Sequence, residues 1–179
     1  MQKIMFNDKY GLTQAVLEGR KTMTRRLVPE GTPLGNWEET IKHSRYKVGE
    51  VVAIAQAYKN VEPELNTSGV KRVYNQSLDI YEHPLALTPG WTNKMFTKPE
   101  LMPRQIRITN VRVERLQDIS DEDCLREGIS ESLFLHHIDK DGVPFSPREA
   151  FSALIDKVSG KGTWGSNPWV FVYEFELVK

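Results

Sequence analysis

Cysteine is almost missing: Cys124 is the only one in 179 residues. A single thiol makes no internal disulfide and rules out a cysteine-built zinc or iron–sulfur site, so a reducing cytoplasm is the expected location. Long apolar runs are missing too. None approaches the roughly 20 residues that span a bilayer, and no membrane partner is expected. The opening MQKIMFNDKYG holds no continuous apolar stretch, so no signal peptide is expected. Repeats and low-complexity tracts are absent. Neither the G-x-x-x-x-G-K-[ST] loop nor the G-x-G-x-x-G fingerprint occurs, which disfavours the nucleotide folds built on them. His136 and His137 are adjacent, a spacing that seldom serves one ion, and no further ligand stands at helical spacing; no metal and no cofactor is expected.

Net charge is missing as well, with 24 Lys and Arg against 24 Asp and Glu. That balance argues against a wholesale nucleic-acid binder, but it hides a segregated pattern. Residues 1–26 carry a net +4, through Lys3, Lys9, Arg20, Lys21, Arg25 and Arg26 against Asp8 and Glu18. Residues 116–131 carry a net −5, through six carboxylates against Arg126. The two segments either face each other across a site or lie as separate solvated surfaces. The densest positive stretch is GRKTMTRR (19–26), with four cations and two threonines in eight positions.

The order of elements is irregular. KIMF (3–6) suits a first strand. Asn7 or Asp8 can cap a helix that buries Leu12, Ala15 and Val16 and stops at Gly19. Residues 29–49 read as loop, and VVAIAQAY (51–58) as a buried strand. Residues 59–105 carry Pro63, Pro84, Pro89, Pro99 and Pro103 and read as an insertion with little regular structure, VKRVYN (70–75) being its one candidate strand. QIRITNVRVERL (105–116) is a long strand whose apolar phase changes at Thr109-Asn110, as a bulge or bend requires. SDEDCLREG is a two-turn helix capped by Ser120 and stopped by Gly128. In SPREAFSALIDKVSG, Ser146 and Glu149 form a capping box, Pro147 takes the first helical position, and Phe151, Leu154, Ile155 and Val158 make the apolar stripe. WVFVYEFELV (169–178) is the closing strand. Such an order does not fit regular βαβ winding. It fits an α+β domain over residues 1–179: a small mixed β-barrel with short helices packed outside, and 59–105 as an insertion within it.

Four pieces now carry a likeness: GRKTMTRR (19–26), KVGEVV (47–52), VRVERLQDISDEDCLREGI (111–129) and GTWGSNPWVFVYEFEL (162–177). In that order they resemble the ASCH domain family of the PUA-like superfamily, the last two being similar to members from phage and gut-bacterial genomes. The resemblance covers both ends and the middle of the chain but not 59–100. It implies a cleft beside the barrel for RNA, a nucleotide or a modified nucleoside. Some small bacterial members are amidohydrolases of acetylated cytidine, and their motif places a catalytic lysine at Lys21, a catalytic threonine at Thr24 and a glutamate at Glu127, with Arg26 as the closing arginine. Relatives with this ending usually carry an arginine–glutamate pair and then an aromatic after the Gly-Glu turn. Here Ala55-Gln56-Ala57-Tyr58 stands instead, so a cleft lined by that pair is more neutral in this chain.

Physical chemistry permits either use of the basic segment. Burial or neighbouring cations lower a lysine's pKa and make it a base, and a threonine hydroxyl becomes a nucleophile beside such a base. Glu127 would orient the lysine while raising its pKa. The same Arg20, Lys21, Thr22, Arg25 and Arg26 can simply grip a phosphate. Trp164, in a loop before the last strand, can stack a base or pack in the core, and Cys124 reads as a packed core thiol. Three functions follow: a binding module, a small amidohydrolase using Lys21, Thr24 and Glu127, or a phage or mobile-element accessory protein acting through protein contacts made by 59–105.

Overall fold

A computed structural model describes residues 1–65, 73–129 and 146–178. The chain is α+β, with short helices and with strands in both parallel and antiparallel pairs. None of the helices described is long and apolar enough to cross a membrane. His136 and His137, and positions 70–72 of the candidate strand, lie outside the described residues. Two compact units divide the chain: Met1–Phe6 with Val51–Ile106 and the last residues, and Asn7–Glu50 with Arg107–Leu177.

In the first unit, β1 (Gln2–Ile4) runs parallel to β3 (Val51–Ile54), in the register Gln2↔Val52 to Ile4↔Ile54. The strand expected over 51–58 ends early, because Tyr58 starts a one-turn helix, α3 (Tyr58–Val61). Val52, Ala53, Ile54 and Ala55 are buried, as an unbroken apolar run predicts. The proline-punctuated stretch forms a two-stranded hairpin, β4 (Val73–Asn75) with β5 (Ile80–Glu82), and then a series of 3-10 turns. Its order comes from polar ties. The Lys3 ammonium donates to the carbonyls of Met95 and Thr97, both at 2.6 Å, and Lys94 answers by donating to the Phe6 carbonyl. The Lys98 N–H donates to the Tyr58 hydroxyl at 2.8 Å.

In the second unit, β2 (Met23–Leu27) pairs antiparallel with β7 (Trp169–Val178), and β7 also borders β6 (Gln105–Arg115). Along β6, Ile106 and Ile108 are buried, Thr109 and Asn110 are exposed and Val111 is buried again, so the expected change of phase is present. The first helix, α1 (Leu12–Leu17), starts at Gly11 with no side-chain cap. Asp8 instead accepts a 2.5 Å hydrogen bond from Thr13, while Asn7 accepts the Leu12 N–H through its backbone carbonyl. Residues 29–49 are not all loop. Asn36 caps α2 (Trp37–Lys42) by accepting the Glu39 N–H, a signal hidden among the glycines and prolines that precede it. Helix α4 (Asp121–Arg126) is capped by Ser120, and α5 (Pro147–Ser159) by the full Ser146–Glu149 capping box. Ala150, Phe151 and Leu154 of α5 are buried, while Ile155 and Val158 sit at the edge. GTWGS adds a single turn, α6 (Thr163–Ser166), before β7.

Gly90 marks the tightest backbone approach in the first unit: a Cβ there would lie 2.5 Å from the Tyr58 ring. Gly90→Ala is expected to overpack this contact and destabilise the fold by about 1–3 kcal/mol. Urea unfolding followed by circular dichroism checks it, with Gly165→Ala, whose Cβ meets open space, as the reference.

Candidate functional site: a cluster of four cations and four carboxylates

The basic and acidic segments meet. After α1 the chain turns at Gly19, and the N–H groups of Arg20 and Lys21 both donate to the Ala15 carbonyl at 2.9 Å. The Thr22 N–H donates to the carbonyl of Arg126, the last residue of α4, also at 2.9 Å. These bonds hold Lys21 between the ends of two helices. Gly128, at φ +88°, leaves the room: a Cβ there would lie 3.0 Å from Lys21 Cβ and 3.2 Å from Ala15 Cβ.

Lys21 is 2% exposed. Its Nζ lies 2.6 Å from Glu127 Oε2 and 2.7 Å from the Glu127 carbonyl. The other carboxylate oxygen of Glu127 accepts from Arg25 Nη1 at 3.1 Å. Arg25 uses all five of its N–H donors. Nε and Nη2 reach Glu114 at 3.0 and 2.5 Å, Nη2 also reaches Asp123 at 3.1 Å, and Nη1 adds the Met23 sulfur at 3.1 Å. Outward, Arg112 pairs with Asp123 at 2.7 Å, with Glu114 at 3.0 Å and with Glu174. Arg126 closes the ring, 2.7 Å from Glu174 and 3.3 Å from the Thr22 hydroxyl. Lys21, Arg25, Arg112 and Arg126 thus face Glu114, Asp123, Glu127 and Glu174, and the cluster is neutral.

Burial is the main influence on Lys21 and lowers its pKa, the Glu127 carboxylate opposes this, and Arg26 and Arg25 add to the lowering. Burial tends to raise the Glu174 pKa, but the hydrogen bonds from Arg126 and Asn110 and the nearby guanidinium charges hold it below the ordinary value. Burial pushes the Cys124 thiol up to about 12, which keeps it protonated in the core.

The remaining expected site residues scatter. Thr24 is buried and pairs with Tyr173, and strand alternation turns it to the face opposite Met23 and Arg25. Lys21 and Glu127 touch. Arg26 shares the Thr24 face and is half-buried. Arg20 is exposed and pairs with Glu18 at 2.5 Å. Trp164 packs edge-on against Phe151 at 6.2 Å between ring centroids, with the Arg148 guanidinium 5.4 Å over its ring. Ala55 and Gln56 belong to the other unit, Ala55 fully buried and Gln56 with a buried side-chain carbonyl that has no hydrogen-bond partner among the described residues. Sequence reasoning missed Glu114, Arg112, Asp123, Arg126 and Glu174 as members of the cluster. Their signal was alternation: Asn110, Arg112 and Glu114 share one face of β6, and Glu174 and Glu176 share one face of the otherwise apolar β7.

No family model and no curated protein matches the chain. Among solved structures, an ASCH domain from Lactobacillus crispatus JV V101 is similar at 12% identity and a TM-score of 0.40, over 95% of this chain and 72% of that one. A DUF984 protein from Enterococcus faecalis V583 is similar at 14% identity and a TM-score of 0.40, over 93% of this chain and 66% of that one.

Two outcomes follow from the cluster. Arg25→Ala strands three carboxylates in or near the core and is expected to lose about 3–5 kcal/mol of stability, whereas Arg20→Ala, at an exposed pair, is expected to lose about 0–1 kcal/mol. Chemical denaturation of the two variants measures the difference. The depressed pKa of Glu174 contributes stability that is complete above the ordinary glutamate value of 4.5 and is lost as pH falls through the lower folded value. Thermal midpoints should therefore fall less steeply in Glu174→Gln than in the parent as pH is lowered from 5 to 3, about the range in which a glutamate takes up its proton.

Proposed function

We propose that the protein is a binding module for a nucleoside-containing ligand, RNA or a modified nucleoside, held by hydrogen bonding and stacking and not by a phosphate clamp. The observation that carries this reading is the neutral cluster. Lys21 and Arg25, the central cations of GRKTMTRR, are engaged by Glu127, Glu114 and Asp123 inside the molecule. A guanidinium with all five donors satisfied has none left for a phosphate oxygen. The class of ligand rests on the likeness of four sequence pieces to ASCH domains.

A second reading has its own observation. Lys21 is a lysine whose burial lowers its pKa and whose ammonium lies 2.6 Å from a carboxylate, the kind of perturbed pair that marks acid–base sites. It favours the amidohydrolase of acetylated cytidine. Against it stands the Ala55-Gln56 sequence, where relatives with this ending usually carry an arginine–glutamate pair, since the loss of one preorganised group can lower a rate by roughly 10²–10³.

Incubation of the purified protein with acetylated cytidine, read by chromatography and by calorimetry, decides between them. The expected outcome is saturable binding without release of acetate. For short RNA, affinity is expected to change little between low and moderate salt, with a slope reflecting only a few phosphate contacts. Deacetylation that disappears in Lys21→Ala would replace the binding reading with the enzymatic one.

A further inference from the structure

The aromatic content of β7 continues beyond the cluster, on its opposite face. Alternation puts Trp169, Phe171 and Tyr173 on one side of the strand, the side that Thr24 and Arg26 share across the β2 pairing. Phe171 and Tyr173 are buried. At the start of the strand the row reaches the surface. Trp37 stacks on Trp169 with ring centroids 4.7 Å apart and planes at 49°. The Arg115 guanidinium lies 4.2 Å over the Trp169 ring, so that Trp169 contacts both an indole and a cation.

Trp37 remains 41% exposed. A tryptophan left this open carries a large apolar surface into water, which is informative where an isolated exposed leucine is not. The ring is also held in place. Its helix α2 is capped by Asn36, and the Thr40 hydroxyl donates to the Pro33 carbonyl at 2.6 Å. The Lys47 ammonium donates to the carbonyls of Lys42 and Ser44, both at 2.6 Å, at the other end of the helix. The stack is therefore a fixed platform, whose presentation needs no further ordering on binding.

Charge decides what fits it. Arg115 is exposed, makes no ion pair among the described residues, and has one further contact, donating to the Asn167 carbonyl at 3.1 Å. Arg26 lies on the same face two positions along the ladder, opposite Phe171. Arg45 is exposed, with its guanidinium 5.4 Å over Tyr46, itself edge-on to Tyr173 at 5.3 Å. A guanidinium over an indole at the surface suits a stacked base with a phosphate beside it.

We infer that the Trp37–Trp169–Arg115 stack is a base-stacking platform for single-stranded nucleic acid, with one base on the exposed face of Trp37 and a neighbouring phosphate at Arg115. The inference takes from the proposed function only that the ligand class is nucleic acid, and it extends that reading from a single nucleoside to a strand. It does not involve the Lys21–Glu127 pair.

The test is titration of the full chain with a short oligouridine, read by tryptophan fluorescence and anisotropy, alongside calorimetry with acetylated cytidine. Trp37→Ala is expected to weaken oligouridine binding about tenfold or more, while Trp37→Phe, which keeps a ring, retains most of it. Arg115→Gln should reduce the salt slope by about one. Acetylated cytidine binding should be the same in all three variants. Oligouridine affinity that is unchanged in Trp37→Ala, or no oligouridine binding by the parent protein, would overturn the platform. Loss of acetylated cytidine binding in the parent, with oligouridine binding still dependent on Trp37, would instead overturn the nucleoside reading and leave the platform standing.

Discussion

Arg25 is the residue around which the second unit closes. Its guanidinium is buried, and a buried cation is stable only when carboxylates and hydrogen bonds replace its water. Glu114 from β6, Asp123 from α4 and Glu127 at the end of that helix supply them. The three acids come from segments remote from β2 in sequence, so the ion cluster fixes strand pairing and helix position together. Glu127 is shared, with one oxygen on Arg25 and the other on Lys21. Through that sharing, the environment of Lys21 depends on the same network.

This arrangement alters what the basic segment can do. A stretch that looks ready to bind phosphate has its two central cations neutralised inside the molecule, while the outer ones differ: Arg20 pairs at the surface with Glu18 and Arg26 turns to the aromatic face. Charge repulsion between Lys21 and Arg25 is offset by Glu127, Glu114 and Asp123. The opposite face of β7 carries Trp169, on which Trp37 stacks. The two faces of one strand thus have different duties, ionic on one side and aromatic on the other.

Much of this was legible in the sequence. The capping box at Ser146, the Ser120 cap, the phase change in β6 and the closing strand all rest on local chemistry, and local chemistry is what a sequence displays. Helix α2 was not legible, because its cap lies within a stretch whose glycines and prolines signal loop. The strand after Gly49 ended sooner than its apolar run implied, because Tyr58 packs against Gly90 in the proline-rich stretch, a contact no local pattern reveals. At the site, Lys21 and Glu127 were expected together and do touch. Thr24 was expected with them; alternation puts it on the face of β2 opposite Arg25, which the spacing of a motif does not display. The partners of Arg25 came from tertiary pairing, at which only the charged alternation of β6 and the glutamates of β7 hinted.

The central claim is that burial lowers the Lys21 pKa and that Glu127, held by Arg25, keeps it from falling further. Nitrogen-detected NMR of the lysine side-chain amines, with Lys21 assigned by mutation, measures that pKa directly. The account predicts a value below the ordinary 10.5 in the parent protein and a lower one in Glu127→Gln. A value at or above 10.5 in the parent, or one that rises in Glu127→Gln, would contradict it.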